Sequence, residues 1–170
     1  MAKGTPATLA LAKAGVPFRL HEYDYDPAAP KVGLQAAQAL GFAPARVLKT
    51  LMARVARPSG PTVVCAIVPS DCEMSLKRLA AAAGAKDAAM LPAAEAERIT
   101  GYHVGGISPF GQKRRVPCFL EEAARHHDTV IVNGGRRGLQ IEIAPGELLK
   151  LLGATSATLI AEAPSNQASF

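Results

Sequence analysis

Apolar and polar positions along the chain fall into short blocks that switch between two periods. Phe18-Arg-Leu-His-Glu-Tyr23 alternates residue by residue, the spacing of a half-buried strand. Leu139-Gln-Ile-Glu-Ile143 does the same, with Leu139, Ile141 and Ile143 on one face and Gln140 and Glu142 on the other. Residues 46–55 and 62–68 are two further strand candidates, and Pro58-Ser-Gly-Pro61 between them predicts an antiparallel hairpin. Strands are also expected over 116–121, 129–132 and 158–161. Asn133-Gly-Gly-Arg-Arg-Gly138 then serves as a second hairpin connection.

Helical segments lie between these blocks. Thr5 can cap a helix that takes Pro6 at its first position and stops at Gly15. A second helix spans 31–40 before Gly41, and Ser75 caps a third that ends at Gly84. Residues 92–99 and 145–152 complete the set. Strand pairs on tight turns with helices between them predict an α+β fold, not a parallel doubly wound sheet.

The length of 170 residues suits one domain with a proper core, expected over 1–162 and followed by a polar, flexible tail at 163–170. The 49% hydrophobic content supports a globular protein. No apolar run reaches the ~18 residues needed to cross a bilayer, and the first residues lack the apolar core of a secretion signal. The expectation is a cytoplasmic protein without a membrane partner. Cys65, Cys72 and Cys118 form no CxxC pair and no zinc-type spacing with histidine, so free thiols and no metal are expected. The net charge of +5 gathers in clusters around Arg46, around Lys113, Arg114 and Arg115, and at Arg136 and Arg137. Such a balance is compatible with nucleic acid. An aromatic content of 5% argues against a base-stacking sheet.

The loop Gly101-Tyr-His-Val-Gly-Gly-Ile-Ser-Pro-Phe-Gly-Gln-Lys113 holds four glycines and runs into a basic stretch. Backbone left bare by glycine can aim N–H groups at an anion or a developing oxyanion. The loop is not a P-loop, because Gln112 stands where the lysine is required. It is not a nucleophile elbow either, because Pro109 follows Ser108 and has no N–H to give. A second candidate is Lys49, a cation within the otherwise apolar Val47-Leu-Lys-Thr-Leu-Met52. It is either an edge lysine that blocks aggregation or a lysine aimed into a pocket.

Taken in order, Arg46-Val-Leu-Lys-Thr-Leu, the glycine loop and Gly134-Gly-Arg-Arg-Gly-Leu resemble the YbaK family of aminoacyl-tRNA deacylases, related to the editing domain of bacterial prolyl-tRNA synthetases. The likeness spans nearly the whole chain. It implies a mixed, mostly antiparallel barrel-like sheet surrounded by helices, and a site without metal or organic cofactor. The activity it implies is removal of cysteine mischarged onto proline tRNA, with aminoacyl-tRNA as substrate and prolyl-tRNA synthetase as partner. By the same resemblance Lys49 is the essential lysine, Thr50 its neighbour and Tyr23 a pocket tyrosine. Gly105, Gly106, Ile107, Ser108 and Pro109 form the family's loop, with N–H groups of Gly105, Gly106 and Ile107 as oxyanion donors and Ser108 and Pro109 at the substrate. Asn133 and Gln140 stand where the family carries serine and aspartate, so amino-acid preference is expected to shift or broaden. Arg46, Lys113, Arg114, Arg136 and Arg137 are expected on the acceptor stem. The competing readings are a deacylase for alanine, serine or threonine, and a binding module without chemistry.

Overall fold

The computed structural model describes residues 4–29 and 31–161; the expected tail lies outside them. Helix α1 (Pro6–Ala14) begins in a reciprocal cap. The Thr5 hydroxyl accepts from the N–H of Thr8 at 3.2 Å, and the Thr8 hydroxyl accepts from the N–H of Thr5 at 2.9 Å. It ends at Gly15, whose φ of 70° is the left-handed conformation that lets the chain turn away. Strand β1 (Arg19–Glu22) follows, then α2 (Val32–Leu40).

Strands β2 (Leu48–Arg57) and β3 (Gly60–Pro69) form the predicted hairpin, paired from Leu48↔Pro69 to Arg57↔Gly60. β2 opens two residues later than expected, because Pro44–Arg46 coil into a 3-10 turn. Next come α3 (Leu76–Ala82) under its Ser75 cap, β4 (Ala88–Met90) and α4 (Ala93–Thr100). The chain closes with β5 (Cys118–Glu121), β6 (Val130–Asn133), β7 (Leu139–Ile143), α5 (Pro145–Leu152) and β8 (Thr155–Ala157).

The strands make two sheets, ordered β1-β7-β6 and β4-β2-β3-β5-β8. Pairing is antiparallel except at β3–β5 and β5–β8. The last strand is a correction: it occupies 155–157 and not 158–161. The Glu121 carboxylate, 2% exposed, takes the N–H groups of Leu159 and Ile160 at 2.8 and 3.1 Å, and the segment keeps a single antiparallel bridge, Met74↔Ile160, without becoming a strand.

β2 serves two cores by alternation. Leu48 and Met52 pack with Leu11, Phe110, Ile141 and Leu148, while Ala53 and Val55 pack with Leu79 and Leu159. Each fully buried leucine contributes about 1.5–3 kcal/mol relative to exposure. A third, smaller cluster of Ala36, Ala37, Val47 and Ile131 fills the seam where the sheets abut, and Val47 makes a parallel bridge to Ile131 there. No described helix is long and apolar enough to cross a membrane.

Candidate active site

A cavity of about 500 Å³ opens on this seam. β2 supplies Lys49, Thr50 and Met52, β6 and β7 supply Asn133 and Gln140, and the loop after α4 supplies Val104, Gly105 and Ile107. The remaining walls come from Lys31 and Gly33 at α2, from Ser70, Asp71, Cys72 and Glu73 after β3, and from Met90 and Leu91. The acidic wall comes from a turn: β3 ends at Pro69 opposite Leu48, the Cys72 N–H donates to the Pro69 carbonyl at 3.1 Å, and Asp71, Cys72 and Glu73 come within electrostatic reach of Lys49.

Lys49 is half-buried, and burial followed by the like charge of Lys31 pulls its pKa below the ordinary lysine value; Glu73, Cys72 and Asp71 oppose the shift. The Thr50 hydroxyl is buried with no hydrogen-bond partner among the described residues. Gln140 is 3% exposed, and its side chain lines the cavity without a hydrogen bond to any described residue. A buried polar group left open costs about 1–3 kcal/mol, so the Thr50 hydroxyl marks where a ligand would complete the bonding, and Gln140 offers a second free polar group in the same lining.

The glycine loop is fixed from several directions. The Val104 N–H donates to Glu97 at 2.8 Å, and Arg137 donates to the Val104 carbonyl through Nε at 3.1 Å and Nη2 at 2.8 Å. The next peptide is held through its carbonyl, since Asn133 Nδ2 donates to the oxygen of Gly105 at 3.2 Å, and through its N–H, since Gly106 donates to His103 at 2.8 Å. The Tyr102 hydroxyl, whose pKa burial pushes up to about 12, donates to the Phe110 carbonyl at 2.6 Å. Gly106 is required here because a Cβ would lie 2.9 Å from the Arg136 Cα and 3.0 Å from the Arg137 nitrogen, backbone that cannot step aside.

This geometry divides the expected oxyanion donors. The N–H groups of Gly105 and Ile107 have no acceptor among the described residues, whereas that of Gly106 is already committed to His103. Gly106 is therefore a packing residue and not a donor. Ser108 and Pro109 are buried outside the cavity lining. The Ser108 hydroxyl accepts from the N–H of Phe110 at 3.2 Å, and its carbonyl accepts from Gln112 at 3.0 Å, so both residues shape the turn.

Tyr23 is also absent from the lining; it packs on the seam cluster with its hydroxyl buried and unpartnered. Three of the expected tRNA contacts have structural partners. Arg46 donates to the Thr129 carbonyl at 3.1 Å, Arg136 pairs with Glu22 at 3.0 Å, and Arg137 holds Val104. Lys113 and Arg114 are exposed, with no ion pair among the described residues.

Cys72 is a cavity residue that no motif announced. Its thiol donates to Asp71 at 3.4 Å, and burial followed by that bond raises its pKa, so it stays a thiol and a poor nucleophile. No group of three or more metal-ligating side chains occurs among the described residues.

Comparison with known proteins agrees with the layout. The Enterococcus faecalis protein EbsC, provisionally named a Cys-tRNA(Pro)/Cys-tRNA(Cys) deacylase, is 43% identical over 115 residues, 68% of each chain. The crystal structure of a protein described as a candidate trans-editing enzyme for prolyl-tRNA synthetase superposes with a TM-score of 0.77 at 25% identity, covering 92% of this chain and 95% of that one. A protein described as hypothetical shares the fold, with a TM-score of 0.79 at 24% identity over 92% of this chain and 99% of its own. The aminoacyl-tRNA editing domain signature matches residues 26–151, and with it the cavity, the glycine loop and both hairpins: the chain belongs to that family.

Proposed function

We propose that the chain is a trans-editing aminoacyl-tRNA deacylase that releases cysteine mischarged onto proline tRNA. The observation that carries this reading is the cavity in which a half-buried Lys49 shares a wall system with the unpaired N–H groups of Gly105 and Ile107. The 43% identity to a protein named for that activity supports the choice of cysteine.

Cleaving the ester builds negative charge on the carbonyl oxygen, and two pre-aimed N–H groups in a half-enclosed site stabilise it without reorganisation. Lys49 adds a compact positive charge for the developing anion or the ribose phosphate. Thr50 and Gln140 offer hydrogen bonds to the aminoacyl moiety. In this reading the attacking group is the substrate's own thiol. Its sulfur bonds to the carbonyl carbon, the carbon–oxygen bond to the ribose breaks, and the thiol proton passes to the ribose oxygen. The enzyme contributes position and charge, and proximity supplies much of the acceleration. Lys113 and Arg114 serve the acceptor stem through phosphate contacts that carry no sequence information, so selection of the tRNA falls to a partner, prolyl-tRNA synthetase.

The test is deacylation of proline tRNA charged separately with cysteine, alanine and serine, by the protein and by Lys49→Ala. Cysteine release that drops about 100-fold or more in the variant is expected, the scale of removing one preorganised charge-stabilising group. Release of alanine or serine in preference to cysteine would reassign the substrate. Full activity in Lys49→Ala would remove the lysine from the mechanism.

A further inference from the structure

Large apolar side chains that stay exposed are few among the described residues: Leu9, Leu20, Met90 at 45% and Val104 at 42%. The last two line the same cavity. Val104 is exposed on a backbone that Glu97 and Arg137 pin at both its N–H and its carbonyl, so the side chain is presented rigidly and not left on a loose tip. Met90 is equally fixed, since β4 pairs with β2 at Ala53↔Met90, and the next N–H, of Leu91, donates to the Met52 carbonyl at 3.1 Å. Two apolar groups held in water on rigid supports at a cavity mouth are the mark of a contact surface for a ligand.

Resting on the deacylase reading above, we infer that Met90 and Val104 seat the nucleobase of the terminal nucleotide that carries the amino acid. A ribose acylated at its 3′ end has three arms: the ester, the base and the 5′ phosphate. Three of the cavity's walls match these arms, and the acidic stretch of Asp71 and Glu73 stands apart from them. The ester belongs at the Gly105 and Ile107 N–H groups and the open hydrogen-bonding groups of Thr50 and Gln140. The phosphate belongs with the lysines, Lys49 and Lys31. What remains is the apolar face, and the base is the one arm with a flat apolar surface to lay on it. The continuity is close, because Val104 directly precedes Gly105, so a nucleotide whose ester reaches the loop has its base within reach of Val104.

The experiment compares two substrates. Cysteinyl-tRNA(Pro) carries the base; cysteine methyl ester has the same scissile bond and no base. The Met90→Asn/Val104→Ser double variant removes the apolar face, and Met90→Leu/Val104→Ile keeps it as the control for folding. The expected result is a KM for the tRNA raised about tenfold in the polar variant, with kcat little changed, and a tRNA-to-ester ratio of kcat/KM reduced by the same factor. The apolar control should restore the ratio. AMP should inhibit the parent more strongly than ribose 5-phosphate, and this advantage should vanish in the polar variant. Equal loss on both substrates, or an unchanged KM for the tRNA, would overturn the base site. Absence of cleavage of either substrate by the parent protein would instead overturn the deacylase reading, and the base site with it.

Discussion

Lys49 puts a positive charge in the cavity that the fold makes less favourable. Burial and Lys31 both lower its pKa, so the protonated form destabilises the folded state, and this cost shrinks as pH rises from the depressed folded value to the ordinary lysine value. If catalysis needs the cation, kcat/KM falls on the alkaline side at a pH below that of a free lysine. Lys31→Gln removes a like charge and so raises the Lys49 pKa; the alkaline limb of the pH–rate profile should move to higher pH. A limb that stays in place would mean that another group titrates there. Lys49 stood out in the sequence because a cation amid apolar strand neighbours is conspicuous. Cys72 and Asp71 did not, because only the turn that closes on Pro69 at the end of β3 brings them near it.

At the scale of elements, the glycine loop acts as a unit because a neighbouring hairpin clamps it. Arg137 reaches from the β6–β7 turn to hold the Val104 carbonyl with two nitrogens, which, across the trans peptide, points the following Gly105 N–H away from Arg137. Lysine cannot reproduce that fork. Arg137→Lys should therefore lower kcat by about tenfold or more with a smaller effect on KM, since a misaimed donor is felt most in the transition state. A change confined to KM would place Arg137 on the tRNA instead. The elements themselves were largely legible. Thr5 and Ser75 announced their helices as caps, and the alternation of β7 correctly separated Gln140 from the core residues. β4 was not legible, because three residues of Ala-Ala-Met carry no period of their own and take strand form only against Ala53–Val55. The division of labour among Gly105, Gly106 and Ile107 was equally hidden, since it depends on which peptide faces His103.

Across the whole molecule, the two glycine-rich segments share a support distant in sequence. The Thr5 hydroxyl that caps α1 also donates to the Gly134 carbonyl, and a Cβ at Gly111 would fall 2.5 Å from the Pro6 backbone. The start of α1 is thus wedged between the β6–β7 turn and the far end of the glycine loop. Thr5→Ala removes a cap and a tertiary hydrogen bond together; a loss of about 1–2 kcal/mol in a denaturant titration is expected. Activity should fall with it near the midpoint of unfolding, and a variant as stable as the parent would show that α1 is only adjacent to the site. The cavity itself lies where the two sheets meet, beside the bridge from Val47 to Ile131 and the packed side chains of Ala36 and Ala37. Its floor comes from one sheet and its lysine from the other, so the aperture is a spacing between two bodies and not a property of either. A small shift of one sheet against the other at that bridge would therefore change what the cavity admits while leaving the residues of each wall untouched.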